Sequence, residues 1–146
     1  MKVYLGADHR GYALKNEIAG WLVDRQIPFV DFGAKHYDAE DDFPDYAKLV
    51  AKAVRDSNDP KTFGILICGS AQGMAMQANR YKGIRAAICH SPEEAVETRG
   101  HNNANILCIA ADQDRSRYFQ IIEAFMRTLP INDPNYRRRN QKLDED

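Results

Sequence analysis

A cysteine stands at the junction of a predicted buried strand and a loop of small residues. Residues 64–68 read GILIC, an apolar run typical of a strand buried on both faces, and residues 69–73 read GSAQG. A helix pattern begins at Met74. Amide N–H groups of such a loop and the positive end of a helix together form an anion site. We expect this site to favour the Cys68 thiolate as a base or nucleophile, although a small cysteine that merely ends a core strand fits the stretch equally well.

Three kinds of reaction fit a cysteine that precedes a phosphate-type loop. A tyrosine phosphatase needs an arginine at the position that Met74 occupies here. A P-loop nucleotide enzyme needs Gly-Lys-Ser/Thr, whereas this chain has Gly73-Met74-Ala75. Proton transfer remains, because a cysteine base can remove a proton next to a carbonyl while loop amides hold the resulting enediolate.

Apolar periodicity predicts strands that alternate with helices. The strands are predicted at 2–5, 29–32, 64–68, 84–89 and 105–110. This alternation predicts an α/β fold: one doubly wound, Rossmann-like domain over residues 1–146, with a five-stranded parallel sheet in the flavodoxin-like order 2-1-3-4-5. Its ligand site lies at the carboxyl ends of strands one and three, which brings Asp8-His9-Arg10 beside the loop after Cys68.

The last part of the chain is predicted to be a long helix followed by a polar extension. Residues 114–129 have helical periodicity, with Leu129 among the apolar side chains expected to face the core. Pro130 ends that helix. Residues 131–146 are polar and are predicted to form a C-terminal arm or a short helix.

Composition excludes several classes of protein. A net charge of −1 with 28% charged residues gives no basic surface for nucleic acid. No apolar run approaches the ~18 residues that a membrane span needs, and the first residues do not resemble a signal peptide. Cys68, Cys89 and Cys108 form no CxxC pair, so we expect free thiols and a cytoplasmic protein.

Several short motifs, in order and over nearly the whole chain, resemble the type B ribose-5-phosphate isomerase family, which includes the galactose-6-phosphate isomerase subunits. They are Gly6-Ala7-Asp8-His9, Asp42-Phe43-Pro44-x-Tyr46, Ile67-Cys68-Gly69-Ser70 with Gly73, Asn79, Gly83-Ile84-Arg85-Ala86 and His101-Asn102-x-x-Asn105. No single motif is diagnostic, but their number and spacing make the resemblance specific.

The resemblance implies an aldose–ketose isomerase that interconverts ribose 5-phosphate and ribulose 5-phosphate, or a related sugar phosphate, through a cis-enediolate without metal or cofactor. Cys68 would move the proton between C1 and C2, Ser70 would assist protons at the sugar oxygens, and His101 would open the furanose ring. The implied binding residues are Gly69, Ala71 and Gly73 at the oxyanion, Asp8, Tyr46 and Asn102 at the hydroxyls, and His9, Arg138, Arg139 and Lys142 at the phosphate. The resemblance also implies a homodimer or homotetramer with shared sites.

Some positions depart from the family pattern. Ala71-Gln72-Gly73 replaces the usual Gly-Val-Gly, and Asp112 stands where an arginine is usual. Arg115 or Arg117 could pair with Asp112 or replace the usual arginine, and Arg10 or Arg139 could make up the missing positive charge. The usual Arg-His-x-x-Arg near the C-terminus becomes Arg138-Arg139-Asn140-Gln141-Lys142. These departures affect the phosphate end more than the proton-transfer centre.

The substrate therefore stays open at this point. Allose 6-phosphate, galactose 6-phosphate, a tetrose phosphate and free allose are alternatives to ribose 5-phosphate. A non-catalytic phosphosugar- or nucleotide-binding module is an alternative of another class. The combination of Cys68, Ser70 and His101 favours an enzyme, since binding alone needs neither a thiol nor an imidazole.

Overall fold

The structure, a computed structural model, describes residues 1–145 and builds them around one parallel sheet. The strands are Lys2–Ala7 (β1), Phe29–Asp31 (β2), Thr62–Cys68 (β3), Ala86–Ile88 (β4) and Ile106–Ala110 (β5). The helices are Tyr12–Asp24 (α1), Phe43–Asp56 (α2), Gln72–Ala78 (α3), Pro92–Asn102 (α4), Tyr118–Arg127 (α5) and Pro134–Leu143 (α6), with a 3₁₀ turn at Arg115–Arg117. None of the helices within residues 1–145 is long and apolar enough to cross a bilayer.

The sheet has the order β2-β1-β3-β5-β4, with every neighbouring pair parallel. The predicted five-stranded, doubly wound parallel sheet is confirmed, but the predicted order of the last two strands is wrong. All of β5 is buried and suits an interior position, whereas β4 has only three residues, of intermediate burial. A short edge strand exposes little unpaired backbone, so β4 lies outside β5. The chain still reverses direction across the sheet between β1 and β3, where ligands bind in such folds.

Two apolar layers cover the sheet, one on each face. Helices α1, α4 and α5 pack on one face, and α2 and α3 on the other. Successive side chains of β3 alternate between the layers, as they must in a strand. Ile65 and Ile67 point toward α1 and α5, while Leu66 and Cys68 point toward α2 and α3. This alternation directs the Cys68 side chain toward the helix that follows it.

The C-terminal part differs from the prediction in its helix boundaries. A 3₁₀ turn precedes α5, which ends at Arg127. Leu129 is 77% exposed, so its predicted core position is wrong: the helix has already ended and the periodicity no longer applies. The polar extension forms the short helix α6, with Asp133 accepting a hydrogen bond from the Asn135 N–H at its start. The last residue of the predicted 131–146 extension, Asp146, lies outside the described residues.

Gly11 allows the loop after β1 to cross closely over β3. A Cβ atom at this position would lie 2.6 Å from the Ile67 carbonyl oxygen and 2.7 Å from Ile67 Cγ2. We expect Gly11→Ala to lower the free energy of unfolding by about 1–3 kcal/mol, because a strand backbone cannot move aside. Gly20→Ala is the matched control: nothing lies within 4 Å of its Cβ position in α1, so alanine should stabilise the helix by about 0.5–1 kcal/mol. Urea titration measures both, and a Gly11→Ala protein as stable as wild type contradicts this account.

Candidate active site

The Cys68 thiol lies at the end of β3, facing the backbone of the loop that follows. Its side chain is 5% exposed, and the N–H groups of Met74, Ala71 and Ser70 hydrogen-bond to its sulfur. Burial raises the pKa of Cys68 above its ordinary value, and the three N–H groups offset only part of that rise. The expected stabilisation of the resting thiolate is therefore wrong, because burial outweighs the amides. The loop amides were predicted to point inward, and those of Ser70 and Ala71 do so, toward the sulfur.

Small residues let this loop stay close to its neighbours. A Cβ at Gly69 would lie 3.0 Å from Arg10 Cζ, and a Cβ at Gly73 would lie 2.6 Å from the Phe43 ring. Ala71 caps α3 with a φ of 67°, in the left-handed region, which turns the chain sharply from strand to helix. The Ser70 side chain is exposed, and its Oγ accepts a hydrogen bond from the Gln72 N–H at 3.3 Å.

Asp8 lies directly beside Cys68 because of the strand register. Ala7 pairs with Ile67, so the next residue of each strand lies at the same edge of the sheet. The Asp8 carboxylate is 6% exposed and accepts hydrogen bonds from the N–H groups of Arg10 and Gly11. Burial raises the pKa of Asp8, and these N–H donors counteract the rise. The predicted meeting of the loops after β1 and β3 is therefore observed.

His9 and Tyr46 reach the same edge and share one partner, Asp41, which the sequence analysis missed. Asp41 belongs to an acidic loop that has no periodic signal, so only its contacts distinguish it from its neighbours. Polar side-chain atoms of Asp8, His9 and Asp41 lie within 4.8 Å of one another. Their hydrogen bonds to each other and to backbone N–H groups already account for that spacing.

An ion pair closes the other side of this edge. Arg10 donates to the Asp112 carboxylate, and both groups lie next to Gly69. Of the cations suggested to compensate Asp112, Arg10 pairs with it, whereas Arg115 pairs with Glu17 and Arg117 with Glu93. The unusual acid at position 112 is therefore neutralised from the loop after β1, by a residue distant in sequence.

The remaining predicted site residues lie together near the start of β5. The His101 ring stacks on Tyr136 of α6, with centroids 5.2 Å apart, and its carbonyl accepts from Asn140. The Asn102 carbonyl accepts a hydrogen bond from Arg85. On α6, Arg138 donates to Asn135, the Arg139 guanidinium lies over the Tyr136 ring, and Lys142 is exposed.

Within one chain, the two groups lie at opposite edges of the sheet. His101 lies near the C-terminus of α4, just before β5 begins at Ile106, whereas Cys68 pairs with Ala110 at the end of β5. The length of β5, from Ile106 to Ala110, separates those two edges by about 13 Å. One chain thus brings together Asp8, His9, Tyr46 and residues 68–73, but does not bring His101, Asn102 or the α6 cations to them. A cavity of about 810 Å³ also lies at the edge where β5 begins, and none of its lining residues is a cysteine or a histidine.

Known proteins share this fold and sequence over nearly the full chain. Ribose-5-phosphate isomerase B of Mycobacterium tuberculosis is 38% identical over 146 residues, covering 99% of this chain and 89% of that protein. A ribose 5-phosphate isomerase structure from Thermotoga maritima superposes with a TM-score of 0.92 at 37% identity, covering 99% and 98% of the two chains. A structure of the Mycoplasma genitalium ribose-5-phosphate isomerase B with bound ribulose-5-phosphate superposes with a TM-score of 0.90 at 36% sequence identity. The match covers 97% of this chain and 93% of that chain. The family described as ribose/galactose isomerase matches residues 3–143, and the chain belongs to that family, as its motifs predicted.

Proposed function

We infer that this chain is an aldose–ketose isomerase that interconverts ribose 5-phosphate and ribulose 5-phosphate. The observation that carries the assignment is the Cys68 sulfur, held by the N–H groups of Ser70, Ala71 and Met74 beside the Asp8 carboxylate. A binding module needs no buried thiol in that position. The likeness to a protein with bound ribulose-5-phosphate supports the choice of substrate.

The proposed reaction moves one carbon-bound proton between adjacent carbons. The Cys68 thiolate takes the C2 proton of the open-chain aldose, and the resulting enediolate oxygen receives hydrogen bonds from the loop N–H groups. The thiol then returns the proton to C1. A hydroxyl proton moves from O2 to O1, and the exposed Ser70 hydroxyl is placed to assist it. Asp8 and Tyr46 bind sugar hydroxyls on the same side.

Ring opening and phosphate binding need the group of residues near the start of β5 together with His9. His101 is proposed to open the furanose ring, Asn102 to bind a hydroxyl, and His9 with Arg138, Arg139 and Lys142 to bind the phosphate. Since about 13 Å of β5 separates the two edges within one chain, we propose that a second copy supplies the His101 group to the Cys68 edge. The protein is therefore proposed to be at least a homodimer with shared sites.

Deuterium incorporation tests the isomerase assignment directly. In deuterated water, ribose 5-phosphate incubated with the protein should yield ribulose 5-phosphate that carries deuterium at C1, because the base exchanges its proton with solvent. NMR of the sugar measures the label. Binding of the sugar without any exchange at C1 or C2 would support the non-catalytic module instead.

The phosphate assignment predicts a large preference for phosphorylated sugars. Losing two charge-assisted hydrogen bonds costs about 3–6 kcal/mol, so free ribose should show a kcat/KM roughly 10²–10⁴-fold below that of ribose 5-phosphate. A panel of allose 6-phosphate, galactose 6-phosphate, a tetrose phosphate and free allose measures the alternatives. Equal kcat/KM for phosphorylated and free sugars would defeat the phosphate assignment.

The thiols support the expected compartment. Cys68, Cys89 and Cys108 are all free and buried. Free buried thiols fit the reducing cytoplasm, which is where we propose that the protein acts.

A further inference from the structure

Asp41 connects two of the proposed substrate-binding residues. Its side chain is 6% exposed and uses both oxygens. Oδ1 accepts the backbone N–H of His9 at 3.1 Å and lies 2.7 Å from His9 Nδ1, while Oδ2 accepts the Tyr46 hydroxyl at 3.1 Å. One carboxylate therefore contacts a backbone group, an imidazole and a phenol that come from two separate elements.

These contacts decide how the His9 ring is protonated. An ionised carboxylate only accepts hydrogen bonds, so Nδ1 must carry the proton that it shares with Asp41. The remaining nitrogen, Nε2, makes no contact with Asp41. As a neutral ring nitrogen, Nε2 is an acceptor and repels a phosphate oxygen; on an imidazolium it is a donor and binds one.

The groups around His9 favour the charged ring. Hydrogen bonding to Asp41 raises the pKa of His9, and the nearby Asp8 acts in the same direction. Arg10 opposes them, but it is itself paired with Asp112. Within residues 1–145, the ring of Tyr37 lies beside that of His9, edge-on with centroids 6.3 Å apart.

The Tyr46 hydroxyl is oriented by the same carboxylate. Because its proton is donated to Asp41 Oδ2, its oxygen lone pairs remain available to accept from a sugar hydroxyl. Burial and the hydrogen bond to Asp41 raise the pKa of Tyr46, so the phenol keeps this proton at neutral pH.

We propose that Asp41 is a positioning residue: it takes the Nδ1–H of His9 and the hydroxyl proton of Tyr46, which leaves His9 Nε2–H for the anionic group of the substrate and the Tyr46 oxygen for a sugar hydroxyl. This proposal rests on the isomerase function proposed above. It assigns no proton-transfer step to Asp41 itself.

The first test needs no variant and no substrate. ¹⁵N NMR of the wild-type imidazole should show that Nδ1 stays protonated over the whole titration of His9 and that Nε2 loses its proton. The opposite tautomer would overturn the proposal. This measurement does not depend on activity, so the proposed role of Asp41 can fail while the isomerase assignment stands, and the reverse.

The second test is Asp41→Asn, which keeps the shape and removes the charge. The pKa of His9 should fall, so the variant should lose the imidazolium at a lower pH than wild type does. KM for ribose 5-phosphate should then rise more at pH 8 than at pH 6, by up to about 10–100-fold, the worth of one charge-assisted hydrogen bond, with a smaller effect on kcat. A KM that rises equally at both pH values, or an unchanged pKa of His9, would contradict the proposal.

Two comparisons sharpen this test. Asp38→Asn removes the same charge from the same loop, at an exposed side chain whose Oδ1 accepts from the Glu40 N–H, so its KM should match wild type at both pH values. In a His9→Asn background, Asp41→Asn should add no further pH dependence, because the two residues act as a unit. A further pH dependence in that background would contradict the proposal, whereas a pH-independent rise in KM is the expected contribution of Tyr46.

Discussion

Cys68→Ala is expected to lower kcat for ribose 5-phosphate by at least about 10²–10⁴-fold, the usual contribution of a positioned general base. The reason is the position of the Cys68 sulfur, which lies at the end of β3 and faces the N–H donors of the loop that follows. The loss should appear in kcat while ribose 5-phosphate still binds, since the hydroxyl and phosphate contacts are untouched. Isothermal titration and steady-state kinetics measure the two quantities separately.

The control for Cys68→Ala is Cys89→Ala. Cys89 is fully buried, and it lies in the layer on the other face of the sheet, where burial raises its pKa to about 12. Its loss removes a sulfur from the core without touching the proposed chemistry, so turnover should persist in whatever fraction is folded. A Cys68→Ala protein that keeps more than a tenth of wild-type turnover would show that another group is the base.

The assignment of the Cys68 thiolate as the base also predicts how kcat changes with pH. Because burial raises the pKa of Cys68, the thiolate is the minor form in neutral solution and its fraction grows with pH. Wild-type kcat should therefore rise by about tenfold per pH unit below that pKa and level off above it. A kcat that falls over the same alkaline range would contradict a thiolate base.

Mixing two inactive variants is expected to restore activity. Cys68→Ala lacks the base and His101→Ala lacks the ring-opening group, so each alone should be nearly inactive on ribose 5-phosphate. If sites are shared, half the dimers formed by co-refolding are mixed, and one of the two sites in each mixed dimer carries both native residues. About a quarter of wild-type turnover should return. The yield follows from symmetry, so it is a quantitative test.

The control mixture pairs Cys68→Ala with the double variant Cys68→Ala/His101→Ala, in which no site can regain Cys68 and turnover should stay absent. Light scattering on the wild-type protein reports its oligomeric state. A fully active monomer, or a mixture that forms dimers without recovering turnover, would mean that His101 does not act across a subunit boundary.

Much of the site follows from local sequence, because turns and buried strands have local causes. The GILIC run and the small residues after it predicted both the end of β3 and the amides around Cys68. The alternation of strands and helices predicted where the loop carrying Asp8 and His9 would meet that loop. Neither inference needed a distant contact, since parallel strands end at a common edge.

Other features depended on packing between distant parts of the chain. The order of β4 and β5 depends on which strand the helices bury, and the pKa of Cys68 depends on how completely they cover it. The periodicity of apolar residues shows which face of a single helix or strand is buried. It does not show which other elements cover that face.

The sequence alone determined the fold class, the family resemblance and the Cys68 loop, because each depends on residue type and spacing along a continuous segment. Only the tertiary structure showed that β5 lies directly beside β3, so that His101 and Cys68 lie at opposite ends of neighbouring strands. Only the tertiary structure singled out Asp41 among its acidic neighbours and paired Asp112 with Arg10. Charge–charge and hydrogen-bond partners far apart in sequence are selected by proximity in space, which spacing along the chain does not encode.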